Sequence, residues 1–200
     1  MSPEEPKLRP DLAVIARHVP AGARVLDVGC GDGQLMAALR DERGVDARGL
    51  EIDPEEVERA VARGLSVIQG DANRDLAHYP GGAFDYAILS QTLQTAERPD
   101  RMLEHLLRVG RQAFVSFPNF AYWRMRMSLL LNGRMPVTRH LPVSWYETEN
   151  IHHLTIADFE ALVAEKGVKV ERSWFFAGDR EIGSSGANWR AEHAVYQLSR

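Results

Sequence analysis

Between Val25 and Leu35 the chain reads VLDVGCGDGQL. An apolar run ends in Asp27, and Gly29, Gly31 and Gly33 follow at every second position. Glycine permits positive φ and removes the Cβ that would hold a ligand away from the backbone. The N–H groups of a helix starting behind such a loop attract an anion or a hydrogen-bond acceptor. A tight strand-to-helix turn uses glycines too, so the cluster alone leaves both readings open. A dinucleotide loop, G-x-G-x-x-G, needs glycine three places after the second one. Gln34 stands there, and that match fails. Two further acids follow apolar runs. Glu51 closes GLE at the distance where a carboxylate can accept both ribose hydroxyls of a nucleoside. Asp53 is the alternative, but it precedes Pro54 and suits a helix cap. Asp71 follows VIQGD.

These residues need a scaffold that brings strand ends together. Short apolar runs at Arg24–Val28, Asp46–Ile52, Leu65–Gln69, Phe84–Leu89 and Arg111–Phe117 read as strands. Helical patterns at Leu8–Val19, Gln34–Arg43, Pro54–Arg63 and Pro99–Val109 alternate with them. Such alternation indicates a parallel sheet covered by helices on both faces. A helix at Thr155–Lys166 and strands at Val168–Phe176 and Glu192–Leu198 complete the pattern. Seven strands are expected, with an antiparallel pairing at the end. In open α/β sheets ligands sit outside the carboxyl ends of the strands, which is where the glycines and acids fall.

Composition narrows the function classes. A net charge of −4 argues against a general nucleic-acid binder. Cys30 is the single cysteine, so an internal disulfide and a cysteine-based zinc site are excluded. Cys30 reads as a small packed residue, with no cationic neighbour in sequence to activate it. The N-terminus, MSPEEPKLRPDL, lacks the apolar core of a signal peptide. No stretch reaches the roughly 18 apolar residues of a spanning helix. The expectation is a cytoplasmic protein with no membrane partner. It is one domain over residues 1–200, with residues 1–10 flexible.

The pattern from Asp27, D-x-G-x-G-x-G, resembles the first motif of class I S-adenosylmethionine-dependent methyltransferases. FDYAILSQTLQ is similar to the fourth strand and following loop of that superfamily. The resemblance implies a Rossmann-like α/β fold with a seven-stranded, mostly parallel sheet and an antiparallel last strand. It implies S-adenosylmethionine or S-adenosylhomocysteine as ligand. Asp27 then faces the methionine amino group beside Gly29, Gly31 and Gly33. Glu51, with Ile52 next to it, takes the ribose. Asp71 accepts from the adenine amino group, with the Ala72 N–H at the ring edge, and Ser90 lies beside the cofactor.

Whether the chain also reacts is a separate question. Methyl transfer needs an oriented nucleophile and sometimes a base. The loop SQTLQT lacks the Asn/Asp-Pro-Pro-Tyr run that cradles amines in nucleic-acid and protein methyltransferases. Gln94 stands where many small-molecule relatives have histidine, and glutamine is no general base. His140, His152 and His153 are the remaining candidates, and no metal-ligand spacing accompanies them.

From His105 through Tyr146 there is no Asp or Glu, while six arginines occur: Arg108, Arg111, Arg124, Arg126, Arg134 and Arg139. Aromatics and methionines are interleaved in FPNFAYWRMRMSLLLNGRMP. An amphipathic helix packed on the sheet, a membrane-surface contact and a protein-contact surface would each use this composition. Trp, Tyr, Met and Arg are enriched in interface cores. VSFPNFAYWRMR, GRMPVT, LPVSWYETENIHHLT and NWRAEHAVYQL resemble the methionine biosynthesis protein MetW family. WYETEN stands where that family more often has WYDTPN, and NFAYW where NFGHW is common. The resemblance implies a partnership with homoserine O-acetyltransferase. It makes residues 119–150 a lid or partner-contact insertion. Methyl transfer to a small molecule is the alternative.

Overall fold

The computed structural model describes residues 8–137 and 144–200. Arg139 and His140 lie outside the described residues. Helix α1 (Pro10–His18) starts at Pro10, with Arg9 at its N-cap. Proline suits that first turn, where its missing N–H would have no helical partner.

Strand β1 (Arg24–Val28) leads through the glycine loop into α2 (Gln34–Arg43). β2 (Asp46–Glu51), α3 (Pro54–Ala62) and β3 (Ser66–Gln69) follow. Asp53 caps α3 by accepting the Glu55 N–H at 2.8 Å. A short α4 (Ala72–Asp75) precedes β4 (Phe84–Ser90), α5 (Pro99–Val109) and β5 (Gly110–Pro118). Then come α6 (Trp123–Asn132), α7 (Ile156–Glu165) and β6 (Lys169–Ala177). β7 (Arg180–Ile182), α8 (Ala187–Arg190) and β8 (His193–Ser199) end the order. No helix among the described residues is long and apolar enough to cross a membrane.

The strands form one sheet in the order β3-β2-β1-β4-β5-β8-β6-β7. Pairings from β3 through β5 are parallel, and β8 runs antiparallel to both β5 and β6. Among the described residues the sheet therefore has eight strands rather than the expected seven. The extra strand, β7, is three residues long and pairs with β6 alone. Three residues are too few to show a period-2 pattern, so sequence reading passes over it.

Alternation along the strands divides the core between the two faces. Leu26, Val28, Ala87, Leu89, Ala113 and Val115 pack on one face beneath α5 and α7. Val25, Ile88, Phe114 and Val195 pack on the other, beneath α1 and α2. The same alternation sends Asp27, Ser90, Ser116 and His193 toward the α1 face, at the end of the sheet where the parallel strands finish. β1 lies between β2 and β4, so the chain order reverses direction beside it. A crevice opens at such a switch point.

Candidate functional site

The glycine loop lines this crevice. Gly29, Gly31 and Gly33 all take left-handed backbone, with φ of +70°, +54° and +78°. They differ in what a side chain would meet. A Cβ on Gly29 would overlap Thr92, and one on Gly33 would overlap Leu65. A Cβ on Gly31 would meet nothing within 4 Å. Two of the glycines thus serve packing of the turn, and Gly31 faces open space. The cleft holds about 380 Å³ and is lined in part by Arg9, Asp27, Gly31, Ser90 and Gln91.

Asp27 is 2% exposed at the end of β1. Burial, with the Glu51 carboxylate adding to it, pushes its pKa up to about 7, and the Arg9 guanidinium partly opposes the shift. Glu51, at the end of β2, is tied three ways to backbone. Its Oε2 accepts the Gly31 N–H at 2.8 Å. Its Oε1 accepts the N–H groups of Ile52 at 2.8 Å and Asp53 at 3.0 Å. A carboxylate has about four lone-pair sites, so one remains, on Oε2. Next to it in sequence, Ile52 is an exposed apolar side chain, 62% accessible.

Asp71 follows β3. It caps α4, accepting the Asn73 N–H at 2.9 Å, and lies 3.4 Å from the Arg74 guanidinium. Ala72 opens the first turn of that helix. Asn73 Oδ1 accepts the Glu97 N–H at 3.0 Å and joins this corner to the loop after β4.

A buried cluster that sequence reading did not assemble backs the cleft. Asp11 is 1% exposed in the first turn of α1. Its Oδ2 accepts the Ser90 hydroxyl at 3.0 Å and the Ser116 hydroxyl at 2.9 Å. Arg9 pairs with Asp11 at 3.3 Å and donates to Ser90 Oγ at 3.1 Å. Ser90 is therefore in the cleft wall, and its hydroxyl is held by α1. Gln91 follows with φ of +51°, the one non-glycine residue with positive φ among the described residues. A left-handed glutamine is sparsely populated and persists only when its surroundings fix it. Its N–H donates to Ser116 O at 2.8 Å, and its carbonyl accepts Gln94 Nε2 at 2.6 Å. In sequence, Asp11 reads as an ordinary helix-start acid, and nothing local links it to Ser90.

Gln94 braces the loop after β4. Its side chain fixes Gln91, and its carbonyl accepts the N–H groups of Ile151 and His152 at 2.9 and 3.0 Å. His152 is half-buried beside that tether, and His153 packs edge-on against Phe120 at 4.6 Å. Cys30 nests between Gly49 and Met36, where a Cβ on Gly49 would sit 2.6 Å from its sulfur. Burial, then Asp27 and Glu51, raise its thiol pKa far above the ordinary range, so it stays protonated. No group of three or more His, Cys, Asp or Glu that could hold a metal occurs among the described residues.

A second cavity of about 850 Å³ adjoins the cleft, with Arg9 and Gln91 in the shared wall. His193 and Phe176 line its floor, their rings stacked at 4.8 Å. Asp179 and Glu181 line its far side.

A glycine-lined crevice at the end of β1 and a braced Gln94 beside it now stand together. The family model for methionine biosynthesis protein MetW matches residues 9–198. The chain belongs to the MetW family. It is 35% identical to the bifunctional methionine biosynthesis protein MetXA/MetW of Rhodopirellula baltica, over 99% of this chain and 34% of that protein. The MetW-family chain thus spans about a third of that relative. It is also 31% identical to the ubiquinone biosynthesis O-methyltransferase of Xylella fastidiosa, over 80% of this chain and 67% of that protein. Among solved structures it is similar to an S-adenosylmethionine-dependent methyltransferase from Mesorhizobium loti, with a TM-score of 0.69. Identity there is 19%, covering 96% of each chain. The expected Rossmann-like methyltransferase fold is therefore the fold of this MetW-family member.

Proposed function

We propose that the chain is an S-adenosylmethionine- or S-adenosylhomocysteine-binding accessory subunit that supports homoserine O-acetyltransferase. The partner rests on one observation. In the Rhodopirellula baltica relative, a single polypeptide carries a MetW unit matching this chain and is named for MetXA as well. We take MetXA as the acetyltransferase, in line with the partnership the family resemblance implies. Linked units meet at high effective concentration, and separate chains must keep the contact by affinity.

The crevice fits such a ligand, because Gly31 leaves space where a Cβ would project. Arg9 would hold the methionine carboxylate and Asp27 the ammonium. The remaining Glu51 Oε2 lone pair would accept a ribose hydroxyl. Ile52 would lie against the adenine ring, with Asp71 and the Ala72 N–H at its edge. The sulfonium ligand supplies an activated methyl group when bound. Nothing on Gln94 can take a proton from an acceptor, which favours binding over turnover. The test mixes the purified chain with the acetyltransferase of the same organism at micromolar concentration. Complex formation and a higher acetylation rate are expected. Neither, with and without S-adenosylmethionine, would sink the reading.

The second cavity favours the alternative, methyl transfer to a small molecule. It shares Arg9 and Gln91 with the cofactor crevice, so an acceptor there would lie next to the ligand. Methyl release from S-adenosylmethionine in the presence of cell-extract metabolites would promote this reading.

A further inference from the structure

We infer that the acetyltransferase docks in the groove between α6, β7 and α8. This inference rests on the partnership proposed above and adds its location. It extends the contact beyond the arginine-rich insertion to Arg180, Trp189 and Arg190.

Helix α6 is the starting point. It is rich in apolar residues, yet it buries only Met125. Trp123 is 38% exposed and Leu130 76%. A core helix such as α5 buries five residues on one stripe. The apolar surface of α6 finds no such cover among the described residues. Beside it lies a groove of about 250 Å³ lined by Tyr122, Trp123, Arg180, Ile182, Trp189 and Arg190.

The groove is pre-organised. The Arg124 guanidinium sits 5.3 Å from the centre of the Trp123 ring, and that of Arg126 sits 5.2 Å from Trp189. Arg126 Nε also donates to the Ala121 carbonyl at 2.6 Å, which fixes the guanidinium over the indole. Exposed tryptophans held in place lose little side-chain entropy when covered, and Trp, Tyr and Arg supply most interface hot spots.

The charge is sorted by strand geometry. Side chains alternate across a strand. Arg180 and Ile182 turn into the groove, while Asp179 and Glu181 line the second cavity. The charged residues lining the groove are therefore basic. Burial, and then the Glu192 carboxylate bonded to it, raise the pKa of the Tyr122 phenol. The complementary surface is acidic, with an apolar or aromatic side chain to enter between the two indoles. A second copy of this chain does not fit as well. A two-fold contact through the groove would place arginines near arginines. The bifunctional relative shows a MetW unit and a MetXA unit kept within one polypeptide, so the acetyltransferase is the occupant to which these observations point.

The experiment immobilises the acetyltransferase of the same organism and measures association of the full chain and its variants. Trp189→Ala should weaken binding about tenfold, mainly through faster dissociation. Arg180→Glu should slow association several-fold at about 0.1 M salt and much less at 1 M, where screening shortens the Debye length to roughly 3 Å. Arg48→Glu makes the same charge change on β2, far from β7 in the sheet, and should bind like the native chain. Melting temperatures are recorded for each. If Trp189→Ala unfolds, the exposed Arg180 decides. A native chain that binds while Arg180→Glu and Trp189→Ala bind equally well overturns the location and leaves the partnership intact. A native chain that fails to bind overturns the partnership and the location together. Sedimentation of the chain as a dimer that Arg180→Glu dissociates would overturn the assignment of the occupant.

Discussion

The Glu51 carboxylate accepts the N–H of Gly31 at 2.8 Å across 20 residues of sequence. The bond closes the end of β2 onto the glycine loop of β1. It also sets the backbone of the one glycine in that loop whose absent Cβ opens on space.

Removing Glu51 should therefore harm the crevice twice, once through the loop and once through the ligand. Hydrogen bonds to charged groups contribute roughly 1.5–3 kcal/mol each. Glu51→Ala should weaken S-adenosylhomocysteine at least about tenfold in calorimetry. Asp53→Ala should cost about 1 kcal/mol of stability through the lost α3 cap and leave affinity within about threefold. Equal binding by Glu51→Ala would take this residue out of the site.

The glycines should separate by function. Alanine at Gly31 meets no neighbour and bears only the left-handed backbone cost of about 1–2 kcal/mol. Alanine at Gly29 adds a collision with Thr92 to the same cost. Gly31→Val should abolish ligand binding in a chain that still melts cooperatively. Gly29→Ala should show the larger fall in melting temperature. The reverse order would mean that Gly31 serves the turn alone.

Asp27 should make binding depend on pH. In the free chain its carboxyl titrates at about 7. A ligand ammonium favours the ionised form, so binding releases a proton. Affinity should be level above pH 7 and fall as pH drops below it, by up to about tenfold per unit. The sign for stability is opposite. The folded pKa is raised above the ordinary 3.8, so protonated Asp27 stabilises the fold below that value, and the contribution is lost as pH rises through 7. Asp27→Asn should melt higher than the native chain at pH 8 and bind more weakly. Calorimetry in two buffers of different ionisation enthalpy reads the proton count directly.

Asn119 should be the most sensitive polar residue outside the crevice. It is 3% exposed where β5 gives way to α6. Its Nδ2 donates to the carbonyls of Asn188 and Ala191 at 3.1 and 2.9 Å. Its Oδ1 accepts the N–H groups of Ala121 and Ile156 at 3.1 and 3.3 Å. Asn119→Ala strands four backbone groups and should cost about 3 kcal/mol or more, read as a lower urea midpoint with an unchanged slope. The same variant should loosen the groove, because α6 and α8 both hang on this side chain.

Sequence alone determined the parts that follow local rules. Glycine spacing after an apolar run specifies a left-handed loop, since only glycine takes those φ angles freely. Period-2 burial sets the parity by which Asp27, Ser90 and Ser116 face one side. The strand–helix alternation gave the parallel sheet, and the strings from Val115 onward pointed to the family. Tertiary structure decided the contacts that depend on which strands become neighbours. β8 enters between β5 and β6, which brings His193 beside Pro118. α1 folds over the crevice and delivers Arg9 and Asp11 to Ser90, roughly eighty residues away in sequence. Gln94, read only as a missing base, becomes a brace because the chain returns at Ile151 to meet its carbonyl. Periodicity records how a segment presents its own faces, while strand order and docking angle set what those faces meet, and these arise only when the whole core is packed.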